Sequence, residues 1–226
     1  MRQVVLDTET TGLSPELGHR ILEIGCVEIV DRKLTRRHYH QYVNPQREID
    51  DGALEVHGIT QEFLKDKPVF KDIFNPFLEY VKGAELIIHN APFDVAFINR
   101  EMALMSPQLG KITDYCSIVD SLELARNKHP GQKNNLDALC KRYRIDNSKR
   151  TQHTALIDCD LLAKVYINLL DQKEPTLNFK NEDNEKIIIN SNDTNRYYKK
   201  VVKPSEAELK LHKEYLKNSL KKNFFN

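Results

Sequence analysis

No apolar run in this 226-residue chain approaches the roughly 18 residues needed to span a bilayer, which excludes a helical membrane segment. The N-terminus enters a strand pattern at once, without the basic, apolar and small-residue succession of a signal peptide, so a cytoplasmic protein is expected. Cysteine is scarce. Cys26, Cys116, Cys140 and Cys159 are widely spaced and form no C-x-x-C pair, so they neither spell a zinc site nor require disulfides. Buried free thiols, packing as small hydrophobes, are expected instead. An excess of one charge sign is also lacking. A net charge of +1 supplies no global attraction for a polyanion, and nucleic-acid binding would need a local site. What remains is an ordinary soluble composition, 40% hydrophobic and 30% charged, enough for one domain with an appendage or two small domains.

Residues 3–7, 21–31 and 34–43 read as three strands joined by short polar connections, an antiparallel meander. The pattern then changes. Residues 69–82 are helical, with Pro76 placed to bend or interrupt them. The apolar stretch ELIIHN (85–90) is a buried strand, and Pro92 suits the first turn of the helix that follows. A short strand near 114–119 precedes helices near 121–128 and 135–143. A long helix from about Thr154 buries Leu156, Cys159, Ala163, Tyr166 and Leu170 on one face. A meander followed by alternating helices and strands predicts a mixed sheet covered by helices, an α/β fold.

Three places collect carboxylates. In VVLDTETTG, Asp7 and Glu9 obey the period of two and project from the same strand face, while Thr8 points the other way. Two carboxylates side by side are unfavourable when buried unless a cation lies between them or one is protonated; a solvated strand end is the alternative. In HNAPFD, Asp94 lies one turn into a helix, as a ligand or as a complement to the helix dipole. In QHTALIDCD, Asp158 is the candidate and Asp160 the poorer one. Five helical residues rotate by roughly 140°, so His153 would share a site with Asp158 only from the loop before the helix. Four acids and one histidine suit a hard cation, Mg²⁺ or Mn²⁺, and such clusters can hold two metals roughly 3.5–4 Å apart.

DTETTG, HNAPFD and HTALIDCD resemble, in order and separation, the three motifs of the DEDDh 3′→5′ exonuclease family. VHGIT (56–60) and NNLDALCKRYRIDNSKRTQH (134–153) are similar to its proofreading branch, the epsilon-type subunits of bacterial replicative polymerases. The resemblance covers residues 2–172 strongly and the tail weakly. It implies a ribonuclease H-like mixed five-stranded sheet flanked by helices, with a flexible C-terminal tail. It implies two divalent cations, Mg²⁺ or Mn²⁺, held by Asp7, Glu9, Asp94 and Asp158, with His153 as general base. One metal would be held mainly by Asp7, Asp94 and Asp158, and the other bridged by Asp7. Substrate contacts would fall on Asp7, Glu9, His57 and Asp158, with Thr10 and Asn90 beside them. One departure stands out: Gly52 occupies a position where the branch often carries Glu, with Asp51 and Glu55 as nearby substitutes.

The basic stretch Lys141, Arg142, Arg144, Lys149 and Arg150 reads as a DNA-backbone contact or as a solvated helix face. After about residue 172 the chain turns polar and mildly basic, with too little apolar surface to fold alone. The expected division is an exonuclease domain at 1–172, a linker at 173–195 and a docking segment at 196–226. By resemblance, the linker would carry a sliding-clamp motif anchored by Leu177 and Phe179. The docking segment would meet a polymerase (alpha) subunit, and a small theta-like subunit could stabilise the body. The rival enzymatic reading is an RNA exonuclease resembling ribonuclease T; a non-catalytic binding subunit is the rival from another class.

Overall fold

The computed structural model describes residues 2–148, 150, 153–170 and 204–218. They fall into two units, one within Met1–Thr176 and one within Leu177–Asn226. Leu177 and Phe179 lie outside the described residues, as do the whole of the expected linker, both ends of the expected docking segment and Lys149.

The first unit opens with three antiparallel strands, β1 (Arg2–Thr10), β2 (Ile21–Val30) and β3 (Lys33–Tyr42). β1 runs three residues beyond the expected end at Asp7, so both carboxylates of the DTE triplet lie within it. Two short helices follow, α1 (Asp51–His57) and α2 (Gln61–Leu64), then α3 (Phe70–Val81). Pro76 does not break α3. It lies on the exposed face, where water can satisfy the carbonyl that its missing N–H releases. β4 (Glu85–Ile88) leads into α4 (Ala91–Met105), and β5 (Ser117–Asp120) into α5 (Ser121–Lys128) and α6 (Leu136–Tyr143). α7 (Ala155–Leu170) ends the unit.

The sheet has five strands in the order β3-β2-β1-β4-β5, with β4 and β5 parallel to β1. The mixed sheet expected from the sequence is therefore present. β1 is central, and its alternation sorts the core. Val4 and Leu6 pack with Phe74, Phe77 and Phe97 on one face; Val5 packs with Leu139, Leu162 and Val165 on the other. Burying a side chain of this size stabilises by about 1.5–3 kcal/mol. All four cysteines are buried and free, as expected.

A buried ion pair ties α4 to the loop before β2. Glu101, 2% exposed, accepts two bonds of 2.7 Å from Arg20 and a third from the Ile21 N–H. Removing one partner leaves the other charge uncompensated, a loss of roughly 3–5 kcal/mol. Glu101→Ala is therefore expected to lower stability by about 3 kcal/mol, read as a drop in urea midpoint with unchanged slope.

The second unit contains α8 (Glu206–Asn218). Ser205 and Glu208 cap it reciprocally: the Glu208 N–H donates to Ser205 Oγ, and the Ser205 N–H donates to Glu208 Oε2 at 2.7 Å. Leu209, Leu211 and Tyr215 are exposed on it. Among the described residues no helix is long and apolar enough to cross a membrane.

Candidate active site

Asp7, Glu9, Asp94, Asp158 and His153 line one cavity of about 410 Å³, together with Asn90, Asp137 and Arg150. Residues as distant in sequence as 7 and 158 converge because α4 and α7 both begin beside the C-terminal half of β1.

Gly25 permits the second of these approaches. It lies opposite Asp7 on β2, and a Cβ there would come within 2.5 Å of the Ala155 carbonyl carbon. The first turn of α7 can sit on the strand only because that atom is missing. The contact is fastened by Cys159 Sγ, 3.1 Å from the Gly25 carbonyl oxygen, and by the Ala155 N–H, which donates to Glu23 Oε2. Glu23 is fully buried beside the start of α7, where a carboxylate complements the helix dipole. Gly25→Ala is expected to cost about 1–3 kcal/mol through overpacking and to displace Asp158 from Asp7. Reduced hydrolysis and a lower urea midpoint together would register it.

Asp94 is held by Thr8, whose N–H and Oγ1 donate to Asp94 Oδ1 at 3.0 and 2.7 Å. Strict alternation turns Thr8 away from the carboxylates. It lies on the face of β1 shared with Val4 and Leu6, where α4 packs, and there it meets Asp94 at the edge of the cavity. Asp158 lies in the first turn of α7, which starts at Ala155. His153 is in the preceding loop, as its spacing from Asp158 required, with its side chain 43% exposed. Its backbone N–H donates to Val56 at 3.3 Å, tying the loop to α1.

The carboxylates repel one another strongly. Burial, followed by the charges of Asp94, Glu9, Asp158 and Glu23, pushes the Asp7 carboxyl well above its ordinary range. Glu9 is raised to about 8 by burial and then by Glu23, Asp158 and Asp94, against the opposing pull of Arg150. Asp94 is raised to about 7, chiefly by burial, although its Thr8 bonds act the other way. Glu9, His153 and Asp158 each offer a ligand atom within 4.8 Å of one another. That group differs from the expected trio of Asp7, Asp94 and Asp158; Thr8 engages Asp94 Oδ1, and Arg150 engages both oxygens of Asp158. Oxygen-rich donors with too little positive charge among them fit a hard divalent cation.

Arg150 overturns its reading as a DNA-backbone contact or solvated residue. Its side chain is 8% exposed and turns inward to Asp158, Asp137 and His153. Arg142 bonds Asn134 and the Lys133 carbonyl, while Lys141 and Arg144 are exposed.

A second cavity of about 430 Å³ adjoins the first across Thr8, Glu9 and Phe93. His57 lines it, 3% exposed, with Nδ1 accepting from the Ile59 N–H and Nε2 lacking a well-formed hydrogen bond. Burial lowers the His57 pKa, against opposing effects from Glu23 and the Thr10 backbone. Thr10 also lines this cavity, although its hydroxyl donates to the Gly12 carbonyl. Asn90 adopts φ 73° as the residue before α4, and its N–H donates to Asp120. Gly52 lines the second cavity with open space around it; Asp51 and Glu55 are not among its lining residues, and Asp50 joins Glu9 as an acid there.

A mixed ribonuclease H-like sheet with an acidic cavity at the end of its central strand defines a nuclease. The Exonuclease family model matches residues 4–166. The DNA polymerase III subunit epsilon of Buchnera aphidicola (subspecies Schizaphis graminum) is 47% identical, over 96% of this chain and 96% of its own. That of Rickettsia conorii is 46% identical over 98% and 97%. Among solved structures, exonuclease X in complex with 5′-overhanging duplex DNA aligns with a TM-score of 0.57 at 26% identity, covering 74% of this chain and 90% of that one. The chain belongs to the exonuclease family, with the epsilon subunits of DNA polymerase III among its relatives, and is a 3′→5′ exonuclease.

Proposed function

We propose that this chain is the proofreading subunit of a bacterial replicative DNA polymerase, working in the cytoplasm. It would remove mismatched 3′-terminal nucleotides of DNA as nucleoside 5′-monophosphates. The observation that carries the reading is the convergence of Asp7, Glu9, Asp94, Asp158 and His153 on one cavity.

Asp7, Glu9, Asp94 and Asp158 would hold two divalent cations, Mg²⁺ or Mn²⁺. When bound, the cations lower the pKa of an attacking water and stabilise the departing 3′ oxygen. His153 takes the proton of the attacking water, a task typically worth about 10²–10⁴ in rate. Thr8 keeps one Asp94 oxygen fixed and so holds the carboxylate at the cavity wall. The terminal nucleotide would occupy the adjoining cavity. His57 Nε2, a buried polar atom without a well-formed bond, would gain a partner there, and Thr10 and Asn90 would border the strand. A paired base is held in the duplex, and a mismatch makes fraying of the end cheaper, which selects the strand for removal.

The discriminating assay adds Mg²⁺ to 3′-labelled primers, matched and mismatched, beside an RNA oligomer. Labelled 5′-monophosphate released fastest from the mismatched DNA end is expected. Faster release from RNA would move the assignment to RNA processing.

The likeness to epsilon subunits extends over nearly the whole chain, tail included, which supports a role for the tail in assembly. The polymerase subunit would dock on residues 196–226, where α8 exposes Leu209, Leu211 and Tyr215. The sliding clamp would take the segment around Leu177 and Phe179. Truncation after residue 195 is expected to abolish co-purification with the polymerase subunit while leaving nuclease turnover within about twofold; retained co-purification would remove the docking role.

A further inference from the structure

Among the described residues, every partner of the Arg150 side chain lines the catalytic cavity. Nε and Nη2 donate to the two Asp158 oxygens at 2.5 and 2.8 Å, and Nη1 donates to Asp137 Oδ2 at 2.8 Å. Nη2 also lies 2.8 Å from His153 Nδ1. A guanidinium carries five N–H donors and no acceptor. The imidazole nitrogen facing it must therefore accept. Nδ1, which also lies 3.3 Å from Asp158 Oδ2, then has its lone pair engaged by the guanidinium. A base whose lone pair is already used cannot take a proton from water. The same guanidinium covers both oxygens of Asp158.

We propose that Arg150 is a positioning residue that stands in for a divalent cation in the metal-free chain, pairing with Asp158 and His153 until a cation displaces it. Displacement frees a ligand carboxylate and the lone pair of the base in one event, so His153 becomes competent only when a cation is seated. Arginine suits the task because its planar fork spans both carboxylate oxygens while a remaining N–H reaches the imidazole; lysine has no such geometry. Space for withdrawal exists. Arg150 also borders a groove of about 780 Å³ between β3 and α7, lined by Leu34, Ile145 and Leu161 among others. Cation and guanidinium compete for the same oxygens, so the apparent affinity for metal is reduced by the fraction of molecules in the paired state.

This inference rests on the metal-binding reading above, and Mn²⁺ titration of the full chain followed by electron paramagnetic resonance separates the two. Wild-type chain that binds no Mn²⁺ would overturn both. Given wild-type binding, Arg150→Ala is expected to bind Mn²⁺ about tenfold tighter while its metal-free form melts at a lower temperature. Arg150→Lys, which keeps the charge and loses the fork, should fall between them in affinity. A residue of merely structural value would weaken binding and stability together; unchanged or weaker Mn²⁺ affinity in folded Arg150→Ala overturns the proposal. Should the alanine variant fail to fold, wild-type protein decides by arginine ¹⁵N NMR. The protected Arg150 Nε–H resonance is expected to be lost on saturation with Mg²⁺, and its persistence there would contradict displacement.

Discussion

Asp7→Asn is expected to lose hydrolysis by on the order of 10³-fold and, without divalent cations, to melt at a higher temperature than wild type. The two effects share one cause. The Asp7 carboxyl is raised by burial and by four neighbouring acids, so its ionised form is disfavoured in the folded chain. A carboxylate whose pKa is raised on folding contributes stability below its unfolded value, and that contribution is lost as pH rises through its folded value. With Asp94 at about 7 and Glu9 at about 8, the metal-free protein should lose stability progressively from about pH 4 to about pH 8. Removing the Asp7 charge relieves that repulsion, and each kcal/mol recovered raises the melting temperature by about 2–4 °C in a domain of this size. Cations do the same for wild type, so Mg²⁺ should stabilise it more as pH rises and stabilise Asp7→Asn much less. Scanning calorimetry at two pH values, with Mg²⁺ and with chelator, reads all four conditions. A variant less stable than wild type in chelator would show that Asp7 is a structural residue.

His153→Ala is expected to lower turnover by about 10²–10⁴ and to leave the fold and its stability nearly unchanged. The side chain is 43% exposed in a loop, and the loop's tie to α1 is a backbone bond that alanine keeps. Glu9 and Asp158 remain in place as ligands, so the Mn²⁺ concentration giving half-maximal rate should move far less than the rate itself. That split distinguishes a base from a ligand. Single-turnover assays across a Mn²⁺ series measure it, and turnover near that of wild type would exclude the assignment of His153 as base.

The parts of the site that were legible in the sequence are those written as local spacing. Asp7 and Glu9 share a face because strand side chains alternate, and His153 had to leave the helix because five residues do not return to one side of it. Mixed sheet topology followed from the switch between strand and helix periods. The missing parts depend on which way a side chain turns. Arg150 stands in a run of basic residues, and such runs usually lie on solvated faces; its inward turn comes from Asp158 and Asp137, which the run does not display. Glu23 was a weaker omission. Glu23 and Glu28 both interrupt the apolar run ILEIGCVEIV, whose first nine residues are buried, and that interruption was the available signal. Thr8 escaped because it points to the other face of β1, with Val4 and Leu6, and only the packing of α4 on that face brings Asp94 to it. The short helices α1 and α2 carry too few turns for an apolar period to emerge, so the wall around His57 was invisible until the chain folded.

Anomalous scattering from a crystal of the chain soaked in Mn²⁺ and a nucleoside 5′-monophosphate tests the central claim most directly. The account predicts Mn²⁺ peaks among the oxygens of Asp7, Glu9, Asp94 and Asp158, with the product phosphate beside them and His153 facing it. Manganese found only on outer surface carboxylates, with that cavity holding product and no metal, would contradict it.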